Sequence, residues 1–133
     1  MTTDQTTPDS IDFRQGSKQL VIGFGERQFL LPYEYLRVLS PSAEVRGHQG
    51  VGGTLPYGKA NVGVTKAEPS GNYGMRIYFD DGHDSGIYSY QYLLELGQQQ
   101  TRYWQEYLDK LHTQGLSRQP DSQVVTLISP KGR

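Results

Sequence analysis

From Met75 to Asp80 the sequence alternates with a period of two. Met75, Ile77 and Phe79 are apolar, while Arg76, Tyr78 and Asp80 between them carry polar groups. Such alternation belongs to a strand with one face on a core and one toward water. Asp81-Gly82 follows at once, and that dipeptide favours a type I′ turn, which needs positive φ at both central residues. The pattern predicts strand Tyr73–Asp80, a two-residue turn, and return strand His83–Tyr88. In that register His83 faces Asp80, with Tyr78 and Ser85 one pair further along. A central hairpin with one apolar face must bury it against further elements, and those can be read on either side.

Upstream, Ser10–Arg14, Lys18–Phe24 and Arg27–Leu31 read as three short strands joined by glycine-containing turns, a meander. Pro32 suits the first position of a helix, predicting Pro32–Leu39. Gly47 to Gly58 is a glycine-rich loop, and Asn61–Glu68 is a further strand. Downstream, Ser89 is placed to cap a helix that Gly97 would end. Thr101 would cap a second, in which Tyr103, Trp104, Tyr107, Leu108 and Leu111 make an apolar stripe. The fold class is therefore α+β, with a mainly antiparallel sheet, a central hairpin and two C-terminal helices. The expected organisation is a disordered leader over 1–9, one domain over 10–116, and a flexible polar tail over 117–133.

Charge and cysteine usage narrow the function classes. The net charge is −1 and the pI is near 6.3, unlike the basic surface of a general nucleic-acid binder. No run approaches the roughly 18 apolar residues of a membrane span. Without cysteine there is no disulfide framework, no thiolate metal site and no cysteine nucleophile. A cytoplasmic domain that binds neither nucleic acid nor membrane is expected.

Motifs with catalytic associations fail on context. Gly53-Thr54-Leu55-Pro56-Tyr57-Gly58-Lys59-Ala60 approaches a phosphate-binding loop, but Ala60 replaces the magnesium-binding hydroxyl and a strand follows instead of a helix. Gly23-Phe24-Gly25 sits in a strand-to-strand turn. His83-Asp84 and Asp80-Asp81 would need convergent partners to form a hydrolase or metal site. His48 lies in the glycine-rich loop, and His112 is placed as a cation at a helix end.

Two stretches resemble a known family. Leu31-Pro32-Tyr33-Glu34-Tyr35-Leu36-Arg37 is similar to a motif L-P-x-x-x-L-R. Glu68 to Gly97, EPSGNYGMRIYFDDGHDSGIYSYQYLLELG, resembles the signature of the N-terminal domain of gamma-butyrobetaine hydroxylases almost throughout. Trp104 and Tyr107-Leu108 match its final helix, so the resemblance spans about residues 18–114. In the hydroxylases this domain precedes an iron- and 2-oxoglutarate-dependent oxygenase domain. It holds a structural zinc through three cysteines, in a C-P-C-x-x-C pattern, and one histidine. The corresponding register here is Ser40-Pro41-Ser42-Ala43-Glu44-Val45, so the thiolate positions are Ser40, Ser42 and Val45, while His83 matches the histidine. The family domain also occurs alone in bacteria and fused to carriers of iron–sulfur clusters.

The resemblance and the residues together imply a small non-catalytic binding or accessory domain with a protein partner and no cofactor. Asp80, Asp81, His83 and Tyr78 are its candidate partner-binding residues. The alternative is a metal-binding accessory protein, with iron or zinc on His83 and nearby Asp80, Asp84 or Glu44. A third reading is a small hydrolase using His83 and Asp84.

Overall fold

The computed structural model describes residues 6–41, 55–84 and 86–120. Along them run β1 (Ser10–Arg14), β2 (Gln19–Phe24), β3 (Arg27–Pro32), α1 (Tyr33–Val38), β4 (Val64–Ser70), β5 (Gly74–Phe79), β6 (Ile87–Ser89), α2 (Tyr90–Gln98) and α3 (Gln100–Gln114). The α+β class and antiparallel pairing hold, but the strands form two three-stranded sheets, β1-β2-β3 and β4-β5-β6. Pro69 lies within β4, tolerated because an edge strand can spare a ladder donor.

Alternation decides what each sheet buries. Phe13 pairs with Leu20, and Leu20 with Leu31, on one face of the first sheet. Val64, Met75, Ile77, Phe79 and Tyr88 do the same for the second. The two faces meet Tyr33, Tyr35 and Leu36 of α1 and Leu93 and Leu96 of α2 in one core. Each such side chain contributes about 1.5–3 kcal/mol on burial. Val38, Tyr107 and Leu111 form a second cluster that attaches α3.

Tyrosine hydroxyls finish the short helices. The last four carbonyls of a helix have no partner within it. Here Tyr88 Oη donates to Leu36 O at 2.6 Å and Tyr92 Oη to Leu39 O at 2.6 Å, at the end of α1. Tyr35 Oη returns the arrangement at α2, donating to Leu96 O at 2.7 Å. Burial pushes the Tyr35 and Tyr88 hydroxyls far above their ordinary range, so both remain donors.

Ser89 caps α2 as expected, its Oγ accepting the Tyr92 N–H at 3.0 Å. Other expected boundaries moved, each for a visible reason. Pro32 is the N-cap of α1, with ψ 146, and not its first helical residue. Gly97 lies inside α2, which runs on to Gln98. A Cβ there would sit 2.5 Å from the Phe29 ring, so this glycine admits an aromatic side chain. Thr101 is inside α3, whose N-cap is Gln99 without a side-chain hydrogen bond. Gly115 closes α3 at φ 68, with Gly115 N–H on His112 O and Leu116 N–H on Leu111 O, a Schellman closure.

The expected leader and tail both contribute residues to the body. Asp9 donates its N–H to Gly23 O at 2.9 Å and accepts the Gly25 N–H on its carboxylate. Ser117 O and Arg118 O accept the N–H groups of Gly58 and Ala60. Arg118 makes two hydrogen bonds to Glu34, at 2.8 and 2.6 Å, and lies over the Trp104 ring. The strand-like run Val124–Ile128 is outside the described residues.

Candidate functional site

The hairpin tip is a three-residue loop. Gly82 N–H bonds to Phe79 O at 3.2 Å, and Phe79 N–H bonds to His83 O at 3.0 Å. Gly82 has φ 93, while Lys18 is the only non-glycine with positive φ among the described residues. Asp81 therefore lacks the positive φ of a type I′ turn, and the geometry is that of a type I turn closed by a glycine bulge. The pairing of His83 with Asp80 expected from sequence does not form. His83 stands opposite Phe79, their ring centroids 6.2 Å apart, and Asp80 N–H is held by Gly63 O at 2.8 Å.

Asp81 explains the choice of turn. Its Oδ1 accepts the backbone N–H of His83 at 3.1 Å, the local Asx bond of such turns. Its Oδ2 accepts from Arg37 Nε at 2.9 Å and Lys59 Nζ at 2.5 Å. Partial burial works against the charged carboxylate, but the bonds from Lys59 and His83 N–H and the Arg37 charge outweigh it. They hold the Asp81 pKa at about 2. Arg37 leaves Nη1 buried without a partner, so this ion pair is single and not bidentate.

His83 turns inward from the tip. It is 8% exposed and its Nε2 lies 2.9 Å from Ser40 Oγ, which is fully buried just after α1. The structure thus brings together two of the positions matched to zinc ligands. Ser42, Val45 and Glu44 lie outside the described residues, as does His48. Zinc in a closed site takes four ligands, normally thiolates and imidazoles. Here a hydroxyl and one imidazole bond to each other, and no group of three or more His, Cys, Asp or Glu side chains could hold a metal among the described residues. These residues do not fit the family zinc. Ser40 and His83 also have the contact of a nucleophile and its base, but an electrophile has no route to a hydroxyl with no exposed surface.

The remaining candidates face outward. Tyr78 Oη donates to Glu68 Oε1 at 2.7 Å, and Lys66 Nζ lies 4.5 Å from the Tyr78 ring centre. The bond to Glu68 raises the Tyr78 pKa. Asp80 and Asp84 are exposed, and Asp84 O accepts from Arg76 Nη1 at 3.2 Å. His83 and Asp84 point to different environments and form no dyad. The Ser40–His83 contact was within reach of sequence reasoning, because positions that share one metal ion must converge. The Glu34–Arg118 pair, 84 positions apart, carries no local signal.

With this geometry in place, comparison with known proteins defines the class first. A family model described as "Gamma-butyrobetaine hydroxylase-like, N-terminal" matches residues 11–94. The chain belongs to that family, whose domain is the non-catalytic N-terminal part of the hydroxylases. A protein solved by NMR in solution is 45% identical with a TM-score of 0.77, over 96% of this chain and 100% of that one. A second NMR structure is 40% identical with a TM-score of 0.74, over 90% and 92%. A crystal structure of a protein of unknown function from Acidithiobacillus ferrooxidans, of the DUF971 family, is 28% identical with a TM-score of 0.60, over 72% and 98%. No curated protein matches. Among the described residues no helix is long and apolar enough to cross a membrane.

Proposed function

We propose that this domain works by binding a protein partner in the cytoplasm, through the outer face of β4-β5-β6. One observation carries the reading: Tyr78 lies on that face between Lys66 and Glu68, with Ile87 36% exposed beside it. Ile87 is in register with Arg76, and Arg76 with Glu68, so these side chains share one side of the sheet. A tyrosine and an exposed aliphatic residue ringed by both signs of charge have the composition of a protein interface. Of the tip residues, Asp80 borders this face. Asp81 and His83 shape the tip from within, and reach a partner only through the loop they hold.

The experiment is affinity capture from an extract of the native cell, with wild type beside Tyr78→Ala and Ile87→Asp variants whose fold is verified by NMR. Reproducible capture of one protein by wild type, lost in both variants, is expected. Equal capture by all three, or no reproducible partner for wild type, would overturn the proposal.

A further inference from the structure

The strap that follows α3 fills one site with a side chain of its own. Arg118 Nε and Nη2 donate to the two carboxylate oxygens of Glu34 at 2.8 and 2.6 Å. The same guanidinium lies over the Trp104 ring, its carbon 5.3 Å from the ring centre. A carboxylate that accepts both arms of the fork and an aromatic ring beside it are contacts by which proteins select arginine. An ammonium is a point charge and matches neither as well.

The two partners are not equally fixed. Glu34 belongs to α1 and its side chain is 8% exposed, whereas Arg118 is 42% exposed. The backbone around Arg118 is tied by N–H bonds from Gly58 and Ala60, outside any helix or strand. The carboxylate and the ring are therefore the built part of the site, and the guanidinium is the replaceable part. A cavity of about 570 Å³ opens beside them. Glu34 and Arg118 are its charged lining, and Gln98, Gln100 and Gln105 line it with amides. With Arg118 lifted away, the lining keeps one buried carboxylate, which is costly without a cation. An anion or an apolar group would leave that charge unpaired. The amides supply donors and acceptors for the main chain that carries the cation.

We infer that Glu34 and Trp104 form a binding site for an arginine side chain of a partner protein, and that Arg118 holds this site closed in cis. The site is separate from the sheet face proposed above, since neither Tyr78 nor Ile87 lines the cavity. A tethered side chain competes at an effective concentration on the order of millimolar or more. An isolated arginine therefore binds wild type weakly, and a partner displaces the strap only with the help of further contacts.

The test is a fluorescence titration of Trp104, the only tryptophan, in the full chain carrying Arg118→Ala. The probe is Nα-acetyl-arginine N-methylamide. Its citrulline analogue keeps the shape without the charge, and its lysine analogue keeps the charge without the fork. Saturable binding of the arginine compound is expected, at least about fivefold tighter than of either control. It should also be at least about fivefold tighter than in wild type, where Arg118 competes. Glu34→Gln added to Arg118→Ala should abolish it. Should the alanine variant not hold its fold, Arg118→Lys takes its place with the same order of affinities expected, because it keeps a charge beside Glu34 but loses the fork. No saturation up to about 50 mM would overturn the inference. So would equal affinity for either control, equal affinity of wild type and the Arg118 variant, or binding that survives Glu34→Gln.

Discussion

Ser40 Oγ and His83 Nε2 stand 2.9 Å apart in the interior, joining the end of α1 to the hairpin tip across 43 positions of sequence. Each occupies a position that the resemblance to the hydroxylase domain matches to a zinc ligand, so a contact between side chains stands where that resemblance would put a shared ion. Removing either partner deletes a buried hydrogen bond, which costs about 0.5–1.5 kcal/mol. Ser40→Ala and His83→Ala should each destabilise by that order in urea denaturation. The double variant should lose less than the sum, with a coupling of about 1 kcal/mol. Strict additivity would show that the two residues act independently.

Asp81 makes stability sensitive to acid. Its folded pKa, about 2, lies below the ordinary 3.8, so the folded state releases that proton more readily than the unfolded chain. The stabilisation is fully present above about pH 4 and is lost as pH falls toward 2. With the side chain 21% exposed, solvent screening leaves a contribution on the order of 1 kcal/mol. Asp81→Asn should therefore be less stable than wild type at pH 7, and the gap should close near pH 2. A gap unchanged across that range would mean that Asp81 acts through turn geometry alone.

Much of this architecture was legible because it is written locally. The alternation of Met75, Ile77 and Phe79 places β5 within a residue of its observed limits, and Ser89 announces the start of α2. The turn was not legible, because Asp81-Gly82 suits two hairpin geometries. Arg37 and Lys59, from distant parts of the chain, select between them by gripping the Asp81 carboxylate. Gly97 misled for a similar reason: glycine commonly ends helices, yet here the Phe29 ring requires it within one. The site shows the same division. His83 was identifiable as a position of interest, but its true neighbours, Ser40 and Phe79, follow from tertiary packing and from the glycine bulge.

Arg118 extends the folded body beyond the helices. Glu34 is 7% exposed and depends on Arg118, itself partly exposed, for its counter-charge. Breaking a fully buried pair costs about 3–5 kcal/mol, and the exposure of Arg118 reduces that to about 1–3 kcal/mol. A chain truncated after residue 117 should therefore be less stable by that amount than one truncated after residue 120. Glu34→Gln should recover part of the loss in the shorter chain. Equal stability of both truncations, measured by urea denaturation, would show that the strap contributes nothing.

The most direct test of the account is metal content, because it separates a binding domain from a metal carrier. Ser40 and His83 bond to each other, and Ser40, Ser42 and Val45 stand at the positions where the resemblance implies thiolates. Protein purified without a histidine tag, dialysed and analysed by mass spectrometry for metals should carry far less than one equivalent of zinc or iron. Its melting temperature should not change with a strong chelator. Stoichiometric zinc or iron that survives dialysis, with a melting temperature that falls on chelation, would contradict the account.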